Sequence, residues 1–237
     1  MGKNVLIVGA SGDIGLAIAK ELASHNYNLL LHYNKNNHAF KNIRDTYNEG
    51  ILTEIKADLS QSEGIKSFLN QLAFPVDVII VASGAANHSL FQDHLETDMD
   101  EMLTLHVKAP WMIVNNLLPS MIQKKHGKII FITSIWGDVG ASNEVIYSSV
   151  KGAQNSFVKA LAKEVAVSGI SVNAISPGYI ETKMNNYLSE NEKQEIIDRI
   201  PMNRAGSPED VAHTVKFLLD DNSAYIQGEI ININGAW

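Results

Sequence analysis

A serine, a tyrosine and a lysine fall within the stretch SIWGDVGASNEVIYSSVK, residues 134–151. They supply a hydroxyl, a phenol and an ammonium, groups that could converge on one reacting atom and move a proton there. Tyr147 and Lys151 are one helical turn apart. From Asn143 onward, Val150, Ala153, Phe157, Leu161 and Val165 recur at helical spacing with no Pro, so the pattern predicts a helix that puts both on one face. An ammonium there would favour the tyrosinate and lower the phenol from its free value of about 10. Ser134 follows the apolar run KIIFIT and so belongs at a strand's end, where open α/β sheets place their ligands. Tyr-x-x-x-Lys is common on helices that do no chemistry, so its weight depends on the rest of the chain.

The elements that must position these groups follow a simple rhythm. Apolar runs recur at Val5–Val8, Leu29–Leu31, Ile51–Ile55, Val76–Val81, Ile129–Ile132, Ile170–Ile175 and Ile230–Ile233, mostly with helical patterns between them. Strands alternating with helices imply βαβ units with right-handed crossovers. The expected fold is a single doubly wound α/β Rossmann domain, with a seven-stranded parallel sheet and helices on both faces. Helices are predicted at about Ile14–His25, Met99–Lys125 and Glu144–Val167. Residues 181–205 are polar and break the rhythm, which suits either a substrate lid or a plain surface insertion.

The first strand runs directly into Gly9-Ala-Ser11-Gly12-Asp13-Ile14-Gly15 and then a helix. Glycines at such a bend admit a pyrophosphate to the backbone, and the helix N-terminus offers free N–H donors. The alternative is a merely structural turn. After the second strand, no acid appears from Asn26 to Arg44 to meet a ribose 2′-hydroxyl. Asn34 and Lys35 stand there instead. Lys35 could meet a 2′-phosphate, which favours NADPH/NADP over NAD, or could be a solvated loop lysine. Asp58-Leu59 follows the third strand, where Asp58 either accepts from an adenine amino group or caps a helix.

Composition narrows the classes. The chain has 237 residues, 45% of them apolar and 19% charged, with a net charge of −7 and no cysteine. An acidic chain argues against nucleic-acid binding, and the lack of thiols leaves catalysis to oxygen and nitrogen groups. The apolar start is too short for a signal peptide or membrane span, so a soluble cytoplasmic protein is expected. Neither HExxH nor another paired ligand motif accompanies His88 and His94, and no metal site is expected.

With the glycine turn, Ser134, Tyr147-x-x-x-Lys151 and Pro177-Gly178 in this order, the chain resembles the short-chain dehydrogenase/reductase family along its whole length. SIWG, YSSVK, NAISPGYIET, RAGSPEDVA and YIQGEIININGAW look most like the 3-oxoacyl-acyl-carrier-protein reductase branch. The run SIWGDVGASNEVIYSSVKGAQNSFVKALAKE also resembles the bacterial elongation factor P 5-aminopentanone reductases. The resemblance implies that Tyr147 gives a proton to a ketone oxygen held by Ser134 while hydride arrives from the nicotinamide. Lys151 would bind the nicotinamide ribose, and Pro177, Gly178, Ile180 and Thr182 would line the nicotinamide side. It further implies a homotetramer. Trp111, Met112 and Ile113, with Phe157 and Val158, could exceed one monomer's core.

The chain departs from the family pattern in three places. Val8 and Asp13 replace the usual Thr and the second glycine, and Asp13 would repel phosphate unless it turns away to cap the helix. VASG replaces Asn-Asn-Ala-Gly, keeping only Gly84. His106 stands at the family's active-site Asn, as a relay through neutral imidazole or as a packed helix histidine.

Substrate cues are mixed. Lys124, Lys125 and Lys128 could greet an acidic acyl carrier protein or could complement a helix dipole. Trp136, Asp138 and Glu144 lie where a substrate tail would pass. The acidic pair could attract an aminopentanone ammonium or could be solvated. Three readings therefore stand: a 3-oxoacyl-carrier reductase, the same chemistry on elongation factor P, and a non-catalytic nucleotide-binding scaffold.

Overall fold

The seven apolar runs become seven parallel strands in the computed structural model, which describes residues 2–25, 27–47 and 50–237. The strands are β1 (Asn4–Val8), β2 (Asn28–Tyr33), β3 (Leu52–Lys56), β4 (Val78–Val81), β5 (Gly127–Ile132), β6 (Ile170–Pro177) and β7 (Ile230–Ile233). The helices are α1 (Asp13–Ala23), α2 (Lys41–Thr46), α3 (Ser62–Asn70), α4 (Glu96–Leu103), α5 (Ala109–Lys124), α6 (Trp136–Val139), α7 (Val145–Val165), α8 (Glu190–Ile197) and α9 (Pro208–Leu219). Strand order is β3-β2-β1-β4-β5-β6-β7, the doubly wound arrangement expected.

Successive strand residues face opposite sides. Leu6 and Val8 join Ile65, Phe68, Ile113 and Leu161 from α3, α5 and α7. Val5 and Ile7 join Ile18, Leu22, Val211 and Val215 from α1 and α9. Because both faces are covered, the strands read as unbroken apolar runs rather than alternations. The chain winds outward from β1 to β3 and then returns to place β4 on β1's other side. Val8 thus pairs with Val81, and the loops beyond them part to open a cleft at the C-terminal ends of the strands.

The long helix expected at Met99–Lys125 is α4 and α5 joined by a π-helical turn, Thr104–Lys108. Pro110 explains the break, since it lacks the N–H that would bond the His106 carbonyl. The Gln154 side-chain amide donates to that carbonyl instead, at 2.7 Å. This ties the π turn to α7, which carries Tyr147 and Lys151.

The lysine cluster does not face the cleft. Lys128 opens β5 at the opposite edge of the sheet, where its buried ammonium donates to the carbonyls of Leu218 and Asp220 at 2.9 and 2.7 Å and closes the end of α9. Lys124 pairs with Asp77 at 2.7 Å. The reading of these lysines as a mouth for a carrier protein is therefore corrected: the sheet places both at its N-terminal edge. Lys128→Ala would leave helix-end carbonyls without their donor and should lower stability by about 1–3 kcal/mol. Chemical denaturation would show the loss, and NADPH titration would show unchanged affinity.

Candidate active site

The cleft has two adjoining lobes of about 650 and 640 Å3. Gly9 lines the first and Gly15 the second. A Cβ on Gly9, whose φ is +82°, would lie 2.5 Å from the Ser83 Cα, and one on Gly15 would lie 2.3 Å from the Gly9 carbonyl oxygen. Only glycine fits either place. Gly12 caps α1 without a side-chain bond, so the first amides of α1 remain free to meet an anion.

Ser11, Gly12, Asn34, Lys35, Asp58, Leu59 and Gly84 line the first lobe. Asp58 does not cap α3. Its carboxylate instead accepts from the Ser60 N–H at 3.0 Å and the Ser60 hydroxyl at 2.7 Å, bonds that hold it below the usual carboxylate range. Arg44 is engaged with Glu54 at 2.6 Å, which leaves Lys35 as the cation lining this lobe. Free amides at the helix start, a glycine-shaped floor and a cation beyond β2 suit a phosphorylated dinucleotide. Asp13 is the first residue of α1, and its carboxylate turns to residue 183 rather than capping the helix: it accepts the Lys183 N–H at 2.7 Å. This corrects the capping expectation. The carboxylate can be drawn off because another part of the chain supplies a donor.

His32 braces this turn from below. Its Nδ1 accepts the Gly9 N–H at 3.0 Å, which fixes the tautomer so that Nε2–H donates to the Ala57 carbonyl at 3.1 Å. Nothing in the spacing of the sequence marked this residue.

Ile14, Gly15, Pro177, Gly178, Ile180 and Thr182 line the second lobe together with Ser134, Tyr147 and Lys151. The Ser134 hydroxyl accepts the Trp136 N–H at 3.2 Å and hydrogen-bonds the Tyr147 phenol. Burial and then the nearby Glu144 push that phenol well above its ordinary value, against a smaller lowering from Ser134. Lys151 is buried, and burial brings its amine down to about 7. Its Nζ donates to the Ile132 carbonyl at 2.9 Å and lies 5.6 Å from the Tyr147 ring centre. The expectation that Lys151 lowers the phenol is therefore corrected. A desolvated amine that readily loses its charge, aimed at a carbonyl, is a weak source of positive potential for Tyr147.

His106 is fully buried, its ring edge-on to Tyr147 at 5.7 Å. Its Nε2 meets the backbone of Ala85, 2.9 Å from the oxygen and 3.2 Å from the nitrogen, and its Nδ1 has no hydrogen-bond partner among the described residues. Burial, then Lys151, brings its pKa to about 3, so the imidazole is neutral. It packs the loop after β4 onto Tyr147 while leaving one buried nitrogen unspent.

At the outer end of the lobe, Glu144 lies 3.3 Å from His88 Nδ1, and the His88 ring stacks at 4.3 Å on Tyr187. Burial raises the Glu144 carboxyl. Trp136 meets the terminal Trp237 edge-to-face at 5.2 Å. Asp138 is exposed and lies outside the lining, so Glu144 stands without the acidic partner expected of it. Tyr187 and Trp237 were not singled out from the sequence, and His88 was weighed there only as a metal ligand. Each reaches the cleft from a different loop, and no spacing connects them. Met184, Leu188 and Ile196, from the segment suspected of being a lid, also line this lobe.

A family model described as enoyl-(acyl carrier protein) reductase matches residues 9–236. An uncharacterized oxidoreductase of Bacillus subtilis, YmfI, is 45% identical, with 100% of this chain and 99% of the relative covered. The chain belongs to the short-chain dehydrogenase/reductase family. As a member of it, the protein is an oxidoreductase. The 3-oxoacyl-acyl-carrier-protein reductase FabG of Aquifex aeolicus is 33% identical, covering 99% of this chain and 96% of the relative. Among solved structures, a provisionally assigned NAD(P)-dependent gluconate 5-dehydrogenase of Beutenbergia cavernae, with NADP bound at low occupancy, superposes with a TM-score of 0.94. It is 28% identical, over 100% of this chain and 96% of that one. No helix among the described residues of this family member is long and apolar enough to cross a membrane, and no cluster of described residues could hold a metal ion.

Two buried neutral histidines have a consequence for stability. Burial brings His32 to about 4 and His106 to about 3, both below the free value of about 6.5. The unfolded chain therefore binds protons that the folded chain refuses, and stability is lost as pH falls from about 6.5 toward 4. The slope should approach about 2.7 kcal/mol per pH unit where two protons separate the states. Denaturation midpoints from pH 7 to 4.5 would measure it, and His32→Asn should remove one proton's share.

Proposed function

We propose that this protein is an NADP(H)-dependent carbonyl reductase of the 3-oxoacyl-acyl-carrier-protein reductase type. The observation that carries the reading is the meeting of Ser134, Tyr147 and Lys151 in one lobe, with the phenol held in its protonated form. A tyrosine whose burial favours the O–H keeps a proton at neutral pH and can release it only to an oxygen that is gaining negative charge. That is what a ketone oxygen does on reduction. The dinucleotide, when bound, supplies the hydride. Ser134 would hold the ketone oxygen beside the phenol. Lys151, with a pKa near neutrality, would replenish the phenol's proton and hold the ribose side. His106 would keep the β4 loop and Tyr147 in register, with its unpartnered Nδ1 available to a relay through water. Gly9, Ser11, Gly12, Ile14 and Gly15 would receive the pyrophosphate, Asn34 and Lys35 the 2′-phosphate, and Pro177 to Thr182 the nicotinamide.

Relatives named as 3-oxoacyl-acyl-carrier-protein reductases support the substrate class. A second reading, reduction of the 5-aminopentanone on elongation factor P, is favoured by Glu144. This half-buried carboxylate near Trp136, Trp237 and Tyr187 would suit a substrate ammonium better than an acyl chain. Following NADPH oxidation with acetoacetyl-carrier protein and with ketone-bearing elongation factor P distinguishes them. Turnover on the latter alone would reject the fatty-acid role, and NADPH binding without any turnover would point to a scaffold. Tyr147→Phe should cut turnover by about a hundred- to ten-thousand-fold while leaving NADPH binding intact. Full activity in that variant would sink the catalytic assignment.

We also infer a homotetramer. Ile113 and Val158 are buried within the monomer's core, which removes them from the expected interface. Trp111 is 46% exposed and stacks on Phe157, and Leu103 on the same long helix is 51% exposed. These large apolar groups support a covered surface. Light scattering at micromolar concentration should return four times the monomer mass, and a monomer would refute the assembly.

A further inference from the structure

Residues 181–205 leave β6 beside the nicotinamide lobe and return at Gly206. The two ends are tied by the Ile180–Gly206 bridge and the Glu181 N–H to Gly206 carbonyl bond of 2.9 Å. Between them, from Lys183 to Arg199, most hydrogen bonds stay within the segment, including the Ser189–Glu192 capping box of α8. The Asn185 side-chain amide donates to the Ile180 carbonyl at 2.8 Å, at the segment's own base, and two further side-chain hydrogen bonds carry it to more distant parts of the protein. One is the long 3.4 Å contact of the Tyr187 hydroxyl with His88, and the other is the 2.7 Å bond from the Lys183 N–H to Asp13. The Lys183 ammonium adds a longer ion pair to the same carboxylate, at 3.6 Å.

Asp13 is therefore the stronger of the two anchors, and it sits on the nucleotide side of the cleft. We propose that Asp13 is a positioning residue that tethers the start of the substrate-covering segment to the dinucleotide turn, at some cost in affinity for the dinucleotide. The inference rests on the reading of the cleft as a reductase site. The geometry accounts for both halves. Lys183 is the first residue of a short 3-10 turn, following the extended Thr182, so its N–H has no partner within that turn and requires an outside acceptor. A carboxylate at the first position of α1 is welcome to the helix dipole and makes a charge-assisted bond to that N–H. The same negative charge stands among the residues lining the phosphate approach, where it opposes an incoming pyrophosphate. Immediately downstream, Met184, Tyr187 and Leu188 line the substrate lobe, so the tether sets where that wall stands.

Three variants and one reference separate tether from charge. Asp13→Gly removes both, Asp13→Asn keeps an acceptor oxygen without the charge, and Lys183→Pro deletes the N–H, with Lys183→Ala as its reference because both lose the ammonium that pairs with Asp13. Proline is compatible there because Thr182 is already extended, at φ −141° and ψ 163°. Hydrogen exchange at the amides of Asn185, Asn186 and Leu188 in the substrate-free protein should speed about tenfold in Asp13→Gly and Lys183→Pro and change little in Asp13→Asn. NADPH should bind a few-fold tighter in both Asp13 variants, by about threefold for one screened charge, and equally in Lys183→Pro and Lys183→Ala. The ketone KM should rise more than kcat falls in Asp13→Gly and Lys183→Pro. Unchanged exchange in Lys183→Pro would overturn the tether, and weaker NADPH binding in Asp13→Asn would overturn the charge cost. The exchange and binding measurements need no turnover. They therefore stand or fall separately from the assignment as a reductase, which fails only if no ketone is reduced by the parent protein.

Discussion

The pairing of β1 with β4 is the constraint on which the rest depends. Because the chain builds β2 and β3 on one side of β1 and then crosses to the other, Val8 and Val81 finish side by side and their loops depart in opposite directions. The cleft is the space that this departure leaves. Gly9 packs so closely on Ser83 that a single methyl would not fit between them. The nucleotide turn and the loop leading to His106 are therefore set by one contact. The sheet beneath is apolar on both faces, with each large side chain contributing about 1.5–3 kcal/mol on burial. That leaves polar chemistry to the strand ends.

Three polar side chains that enter the core have backbone partners that account for their positions. Lys151 reaches the Ile132 carbonyl at the end of β5, His32 joins Gly9 to Ala57, and Gln154 takes the carbonyl that Pro110 frees in the π turn. These bonds align three elements on the site: α7 through Lys151, the π turn through Gln154 and the nucleotide turn through His32. Burial then sets the protonation states. It holds Tyr147 as a phenol, His106 and His32 as neutral rings, and Lys151 near the point of losing its proton. The proton economy of the site follows from desolvation more than from the tyrosine–lysine attraction that their spacing suggests.

Asp13 and Glu144 show how the same residue type takes different roles from its surroundings. Asp13 is drawn to a backbone donor brought from far along the chain, whereas Glu144 is half-buried beside His88 in the lobe that Trp136 and Trp237 also line. Asp138 lies in the same connecting region as Glu144, yet it points to solvent and takes no part. Proximity along the chain did not distinguish the two acids. Their elements did: Asp138 lies on the exposed part of α6, whereas Glu144 is the N-cap residue at the start of α7, at the cleft.

The sequence alone determined the fold class, the seven strands, the glycine turn and the convergence of Ser134, Tyr147 and Lys151. Each of these depends on local periodicity or on the rule that parallel strands present their C-terminal ends together. Tertiary structure decided what depends on contacts between remote segments. It brought Trp237 to Trp136 and Tyr187 to His88, sent Lys128 to the far edge of the sheet, and turned the Asp13 carboxylate to Lys183. It also reversed the expected shift of Tyr147. Spacing on a helix reports which groups are neighbours, but a pKa depends on how much water the fold has removed around them.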